Sequence, residues 1–455
     1  MGTILVDDVG IVLLGAGSLS FTPSLLTGLM ASDMAKEKSV TISLVDIDPE
    51  LLDMNYAVGM KMLNLYRKRW NIEHFKIEKY TDRKDALEHS DFIISTIGVG
   101  GIEATHLDVE IPYKYGILQS VGDTVGPGGI FRALRHIPVF VEIAEDIRDI
   151  SPSAYFLNFS NPLTPLTRAV IRETQIKAFG FCTGIFGMWE FLSEYFGVRR
   201  EDVRIFERGT NHFSWILDFT VDGKHGYELL PGRIKEKGVP KGYFGPLTFE
   251  LYNVHGLLPV PGDRHIAEFL PHVYMNEEAA EKYSFPLLLK DTVYDPILRR
   301  PIREQLEGIA TDTRKVDELI NQEGLEEEGL GVIRLIEAIV LNRDYLCPGA
   351  NVTNNGAVHN LPDWPVVEVP ALVDAAGIHP LNVGSLPGEL AGITTDRAYA
   401  FELAVDAAIS CDRNLLLRSL LADDFVDSTS KAEELANDML EHEREWLPDA
   451  WFRSS

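Results

Sequence analysis

Ile11–Leu26 reads IVLLGAGSLSFTPSLL. Its first four residues, Ile11 to Leu14, have the composition of a buried strand. The run stops at Gly15-Ala16-Gly17, polar Ser18 and Ser20 follow, and from Pro23 an apolar tail reads as a helix. Strand, glycine turn and helix start, in that order, make a dinucleotide-binding unit. Gly15 permits the tight turn, Gly17 lets the backbone approach a pyrophosphate, and the helix N-terminus offers its N–H groups to the anion. Ser20 stands where the third glycine of G-x-G-x-x-G belongs.

Working outward, Val40–Val45 (VTISLV) is a second apolar run, and it ends in Asp46-Ile47-Asp48. An acid there can bond the ribose hydroxyls of NAD and repel the extra phosphate of NADP. Asp46 lies farther from the glycines than the usual spacing of about 20 residues, so the intervening helix is long or follows a loop. Leu51–Trp70 is helical in pattern, His74–Tyr80 a short strand and Thr81–His89 a capped helix. Asp91–Gly98 is another buried strand, whose tip passes under the nicotinamide ribose. Gly15, Gly17, Ser18, Ser20, Asp46 and Gly98 are therefore the expected NAD contacts. Strands alternating with helices at this spacing predict an α/β chain with a doubly wound, Rossmann-like parallel sheet over residues 1–200. From about Leu217 the chain changes character, and residues 201–455 are expected to form an α+β domain for substrate, metal and oligomerisation. There, VVEVP is a strand, Gly324–Ile339 and Thr394–Leu417 are helices, and Glu433–Trp446 is a terminal helix.

Of 455 residues, 45% are hydrophobic and 24% charged, which describes a folded globular chain long enough for two or three domains. The net charge of −27 argues against nucleic acid and against an anionic membrane surface. Three scattered cysteines, Cys182, Cys347 and Cys411, form no disulfide framework and favour a reducing cytoplasm. The N-terminus carries Asp7 and Asp8 rather than the basic start of a signal peptide, and no apolar run reaches about 18 residues.

Three further stretches carry chemistry. Gln119–Pro138 (QSVGDTVGPGGIFRALRHIP) is a loop with four glycines followed by a helix bearing Arg132, Arg135 and His136, and it suits an anionic or polyhydroxyl ligand. Asn158-Phe159-Ser160-Asn161-Pro162 puts amides at the carboxyl end of a strand, where open α/β sheets bind ligands. Cys182 and His212, in GFCTG and GTNHF, both fall at element ends on that side. A thiolate with an imidazole suits a borderline divalent metal, although the spacing of this pair is also that of a buried cysteine and an ordinary histidine. Val260–Glu268 packs Asp263, Arg264, His265 and Glu268 into a loop-to-helix start.

In order, GAGSLSFTPSLL, VDID, DTVGPGGIFRALRHIP, NFSNPLTP, GFCTG, GTNHF and NNGAVHNLPDWPVVEVP resemble the family 4 glycoside hydrolases, and the match runs from about residue 10 to 440. The resemblance implies a lactate/malate-dehydrogenase-like fold and a glycosidase that uses tightly held NAD and a divalent metal, usually Mn. It is an exception to the usual carboxylate pair. Sugar C3 is transiently oxidised, C2 is deprotonated, the glycosidic bond leaves by metal-stabilised elimination, and water adds back. The implied metal ligands are Cys182 and His212, and Asn161 is similar to the amide that contacts the sugar hydroxyls. The base is a tyrosine or an aspartate in different branches, with Asp263 the candidate here and His265 in reserve. Two departures stand out. Thr183 follows the cysteine where many members have His, Asn or Asp, and threonine is no general acid. Gly101–Asp108 lacks the arginine of the phospho-sugar branches, which leaves α-glucosides, α-galactosides or α-uronides. For a uronide, Arg132 or Arg264 can pair with the carboxylate. Family members are commonly dimers or tetramers, so a homodimer or homotetramer is expected. The competing reading is an NAD-dependent dehydrogenase of the lactate/malate type acting on a hydroxy acid or sugar. That reading needs an Asp–His dyad and leaves Cys182 idle.

Overall fold

The computed structural model describes residues 8–70, 72–290, 292, 294–320 and 327–453. Six parallel strands form the nucleotide-binding half: β1 (Asp8–Leu14), β2 (Ser39–Val45), β3 (Phe75–Tyr80), β4 (Phe92–Ser95), β5 (Tyr155–Asn158) and β6 (Lys177–Gly180). Their spatial order is β3-β2-β1-β4-β5-β6, the doubly wound arrangement expected from the alternation of strands and helices. The composition of β1 follows from this position. Ile11 and Leu13 enter one core while Val12 and Leu14 enter the other, so both faces are covered and no alternation with polar residues survives.

The sheet continues through antiparallel strands: β7 (Val203–Thr210), β8 (Phe213–Val221), β9 (Lys224–His225), β10 (Leu258–Val260), β11 (Tyr345–Thr353), β12 (Val366–Asp374) and β13 (Gly377–Pro380). The order runs β6-β11-β12-β7-β8-β10, with β13 on β12 and β9 on β8. Where the halves meet, the ladder is narrow. β11 pairs with β6 only at Asn351 and Gly180, and β12 with β7 only at Glu368 and Gly209.

The expected boundary near residue 200 lies between β6 and β7, but the C-terminal helices return across it. Helix Gly388–Ser410 packs on helix Gly126–Ile150. Ala404, Leu416, Leu435 and Met439 share one buried cluster with Phe131, Phe140, Phe156 and Val12. The single helix expected over Thr394–Leu417 is two. Cys411 takes a left-handed conformation (φ 53°), and the Asp412 carboxylate accepts from the N–H groups of Asn414 (2.7 Å) and Leu415 (3.2 Å), capping a new helix at Arg413. Helix Glu327–Leu341 answers to the one expected over Gly324–Ile339, and residues 324–326 lie outside the described residues. Among the described residues no helix is long and apolar enough to cross a membrane.

Candidate active site

The glycine turn closes on itself as its composition requires. Gly15 has φ 90°, a side chain there would fall 2.9 Å from the carbonyl carbon of Thr96, and the N–H groups of Gly15 and Ala16 both donate to the Val45 carbonyl. Asp46 is held against this turn. Its Oδ2 accepts from the Gly17 N–H at 2.6 Å and its Oδ1 from the Asp48 N–H at 2.9 Å. At Gly17, where the backbone is expected to approach a pyrophosphate, the N–H therefore points to Asp46. The tight Asp46–Asp48 turn, capping the next helix through Asp48, folds the carboxylate back over the loop. Ser18 Oγ accepts from the Phe21 N–H (3.2 Å), whereas Ser20 is exposed and its side chain caps nothing. Gly98 has open space where a side chain would stand. Asn55, which sequence reasoning missed, donates from beneath to the carbonyls of Ala16 (2.7 Å) and Ser18 (3.1 Å). An acid at the ribose position, open space at Gly98 and the exposed Ile47 side chain beside Asp46 fit a dinucleotide.

At the junction of the halves, Asp123, His212 and His265 bring one ligand atom each within 4.8 Å of one another. His212 occupies the second position of the two-residue turn between β7 and β8. Its φ of 63° is an unusual conformation for a residue with a side chain. Its ring lies 4.4 Å from that of His265, centroid to centroid. Thr124 Oγ1 donates to Asp123 Oδ1 (2.7 Å) and meets His212 Nδ1 (2.8 Å), while Asp123 Oδ2 accepts from Asn161 Nδ2 (2.8 Å). Burial would push the Asp123 carboxyl up, but His212, His265 and Arg132 hold it down at about 2. Burial also lowers both imidazoles, His265 the more strongly, so both are neutral near pH 7 and can present lone pairs. A neutral His pair with an ionised carboxylate is a donor set for a divalent ion.

The glycine loop that carries Asp123 is fixed from both sides. Glu268 accepts from the N–H groups of Val121 (2.7 Å) and Gly122 (3.0 Å), and burial pushes its pKa up to about 8. Gln119 holds the Val125 carbonyl and the Gly128 N–H. Asp123 was inside a stretch already marked for ligands, but its partner His212 follows 89 residues later, and no spacing rule joins them.

The other expected residues take different roles. Cys182 stands outside the trio. Its sulfur accepts from the Gly184 N–H and neighbours Asn211, and burial together with Glu368 pushes the thiol up in the absence of a metal. Asp263, expected as the base, is engaged by its surroundings. Its carboxylate accepts from the N–H groups of Gly245, Leu247 and Thr248 and from Thr248 Oγ1, anchoring the start of helix Pro246–His255. Arg132, expected to meet a substrate carboxylate, is buried and donates to Thr105 Oγ1 and the Asn161 carbonyl. Arg264 is different. Its guanidinium lies over the Tyr243 ring at 6.0 Å and, among the described residues, forms no ion pair. Tyr243 itself lines a cavity of about 220 Å³ with Thr183 and Gly184. It is surrounded by protein yet 43% exposed, as a cleft wall is, and its ring is 6.0 Å from that of His265. Asp123 and His212 do not make an Asp–His dyad of the dehydrogenase kind, because Asp123 Oδ1 is 3.8 Å from His212 Nδ1 with the Thr124 hydroxyl between them.

Two family models cover the chain: family 4 glycosyl hydrolase over residues 10–198 and the family 4 glycosyl hydrolase C-terminal domain over residues 208–426. The alpha-galacturonidase of Bacillus subtilis is 32% identical over 96% of this chain and 97% of its own length. The crystal structure of lplD from B. subtilis superposes with a TM-score of 0.83 at 30% identity, covering 95% of this chain and all of that one. A 6-phospho-alpha-glucosidase from gut microorganisms, solved in complex with NAD and Mn2+, has the same fold at a TM-score of 0.81 and 22% identity, over 97% of this chain and 99% of that one. The chain belongs to the family 4 glycoside hydrolases.

Proposed function

We propose that this enzyme hydrolyses α-linked glycosides whose sugar is a hexuronate, with galacturonides foremost, using NAD and a divalent metal, Mn2+ foremost. With both bound, the site has a hydride acceptor for sugar C3 and a Lewis acid for the C2 and C3 oxygens. Asp46 and the Gly15–Ser18 turn hold the dinucleotide. His212 is the metal ligand on which geometry and family resemblance agree, and Asp123 and His265 complete the set. The Asn161 amide, held by Asp123, orients the sugar hydroxyls. Tyr243, on the wall of the cleft, receives the C2 proton, with the Arg264 guanidinium over its ring offsetting part of the burial that pushes its hydroxyl up. Thr183 offers no acid, so substrates whose leaving group departs as a stable anion are turned over fastest. The three free cysteines fit a reducing cytoplasm, and a homodimer or homotetramer fits the family.

One observation carries the choice of substrate. The unpaired Arg264 guanidinium stands over Tyr243 beside the metal trio, in a chain whose net charge is −27, and a planar carboxylate is the partner such a fork binds best. The test is a panel of p-nitrophenyl α- and β-galacturonides, galactosides and glucosides with NAD, Mn2+ and reductant. The α-galacturonide is expected to lead, and Arg264→Gln to erase its advantage over the α-galactoside by raising KM. A neutral sugar leading in the unsubstituted enzyme overturns the uronide, and steady accumulation of NADH overturns the hydrolase. Manganese titration of Cys182→Ser and His265→Ala separates the two ligand sets, since only the second is expected to lose affinity.

A further inference from the structure

Between Asp123 and His212 sits a hydroxyl whose single proton has two claimants. Thr124 is 3% exposed, and its Oγ1 is 2.7 Å from Asp123 Oδ1 and 2.8 Å from His212 Nδ1. A metal-facing carboxylate only accepts, so the hydroxyl proton goes to Asp123. The contact with His212 must then run the other way, with Nδ1–H donating to the Thr124 oxygen. In a neutral imidazole this leaves the lone pair on Nε2. The seat of Thr124 is itself built. A side chain at Gly129 would fall 2.3 Å from the Thr124 carbonyl carbon, and Glu268 and Gln119 pin the loop on either side. His265 has no such partner, and its Nδ1 is buried without a hydrogen bond among the described residues. Of the two histidines only His212 has its tautomer set by a neighbour.

We propose that Thr124 is a positioning residue that fixes His212 in the Nδ1–H tautomer, so that Nε2 is presented to the divalent metal, and that its hydroxyl separates the imidazole from direct pairing with Asp123. The proposal rests on reading Asp123, His212 and His265 as the metal centre. Outer partners of this kind change metal affinity by about 10- to 100-fold when removed.

The experiment is Mn2+ binding followed by electron paramagnetic resonance, on the full chain with NAD affinity as the control for folding. The variants are Thr124→Val, which keeps the shape and loses the hydroxyl, and Thr124→Ser, which keeps the hydroxyl. Thr124→Val is expected to weaken Mn2+ by about 10-fold or more, and Thr124→Ser to bind close to the unsubstituted enzyme, with NAD affinity unchanged in both. Mn2+ affinity unchanged in Thr124→Val, or lost equally in both variants, overturns the proposal. Nitrogen-15 spectra of the unsubstituted enzyme give a second reading without any substitution. His212 with its proton on Nε2 overturns the proposal, and a proton on Nδ1 supports it. His212→Ala distinguishes the two levels, because unchanged Mn2+ affinity in that variant overturns the metal centre itself, whereas lost affinity there with normal affinity in Thr124→Val overturns only the role of Thr124.

Discussion

Four donors converge on the Asp263 carboxylate, three of them backbone N–H groups at the start of a helix, and an amide in its place would turn an NH2 toward some of them. Asp263→Asn is therefore expected to cost about 1–3 kcal/mol, read as a lower Tm by calorimetry. An unchanged Tm with loss of C2-proton exchange would return the base role to Asp263. Glu268 gives a second prediction at this scale. Burial raises its pKa in the folded chain to about 8 from the 4.5 of a free glutamate. Between those values the folded chain holds a proton that the unfolded chain has released, so the contribution of Glu268 to stability falls as pH rises through the window and is constant above it. Glu268→Gln is expected to flatten that part of the stability profile, and urea midpoints measured from pH 5 to 8.5 check it. An undiminished slope would assign it to other groups. Neither role was readable in the sequence. PGDRHIAE shows a cluster of charges near a helix start, and only the fold decides that Asp263 faces another helix and Glu268 the glycine loop.

At the scale of elements, the strand–turn–helix of Ile11–Leu26 was legible because its information is local. Apolar run, glycine and helix former are constraints that a residue places on its own backbone. The helix break at Cys411 was less so, since Ala and Leu on both sides continue the helical pattern and only the Asp412 cap stops it. Asn55 shows the limit more clearly. It lies on helix Pro49–Trp70 among Met, Leu and Tyr, where a polar residue reads as a solvated position, yet it is fully buried and carries two carbonyls of the glycine turn. Asn55→Ala is expected to loosen the turn and raise the Kd for NAD about 10-fold, or roughly 1.4 kcal/mol, by fluorescence titration. Unchanged affinity would mean that the Val45 contacts alone fix the turn.

For the whole molecule, the buried charges tie distant parts of the chain together. Arg135 is fully buried, donates to both oxygens of Asp108 (2.7 and 2.6 Å), to Glu443 (2.9 Å) and to the Val99 carbonyl (3.0 Å). Arg135→Leu leaves Glu443 without its cation and Asp108 with only Arg132 at 3.6 Å, and is expected to cost about 3–5 kcal/mol. Urea denaturation measures it, and a loss below that of an ordinary surface change would mean that the carboxylates are held neutral. Long-range pairs of this kind are why the class of fold and single site residues such as His212 could be read in the sequence while their pairing could not. Asp123 with His212 and Arg135 with Glu443 meet through the sheet and the C-terminal helices, and nothing within either local stretch announces its partner.

The return of those helices also sets an order in time. A chain leaves the ribosome from its N-terminus, and domains generally fold as they emerge. Here β1 to β6 emerge first, but the outer side of helix Gly126–Ile150, which covers one face of their sheet, is finished by helices carrying Ala404, Leu416, Leu435 and Met439, and the loop at Val99 by the arginine that Glu443 holds. The nucleotide-binding half, first to be synthesised, is therefore among the last to be completed. During translation, the apolar outer side of helix Gly126–Ile150 waits uncovered for more than two hundred residues of chain that are still to come, which makes the nascent chain a natural client for chaperones.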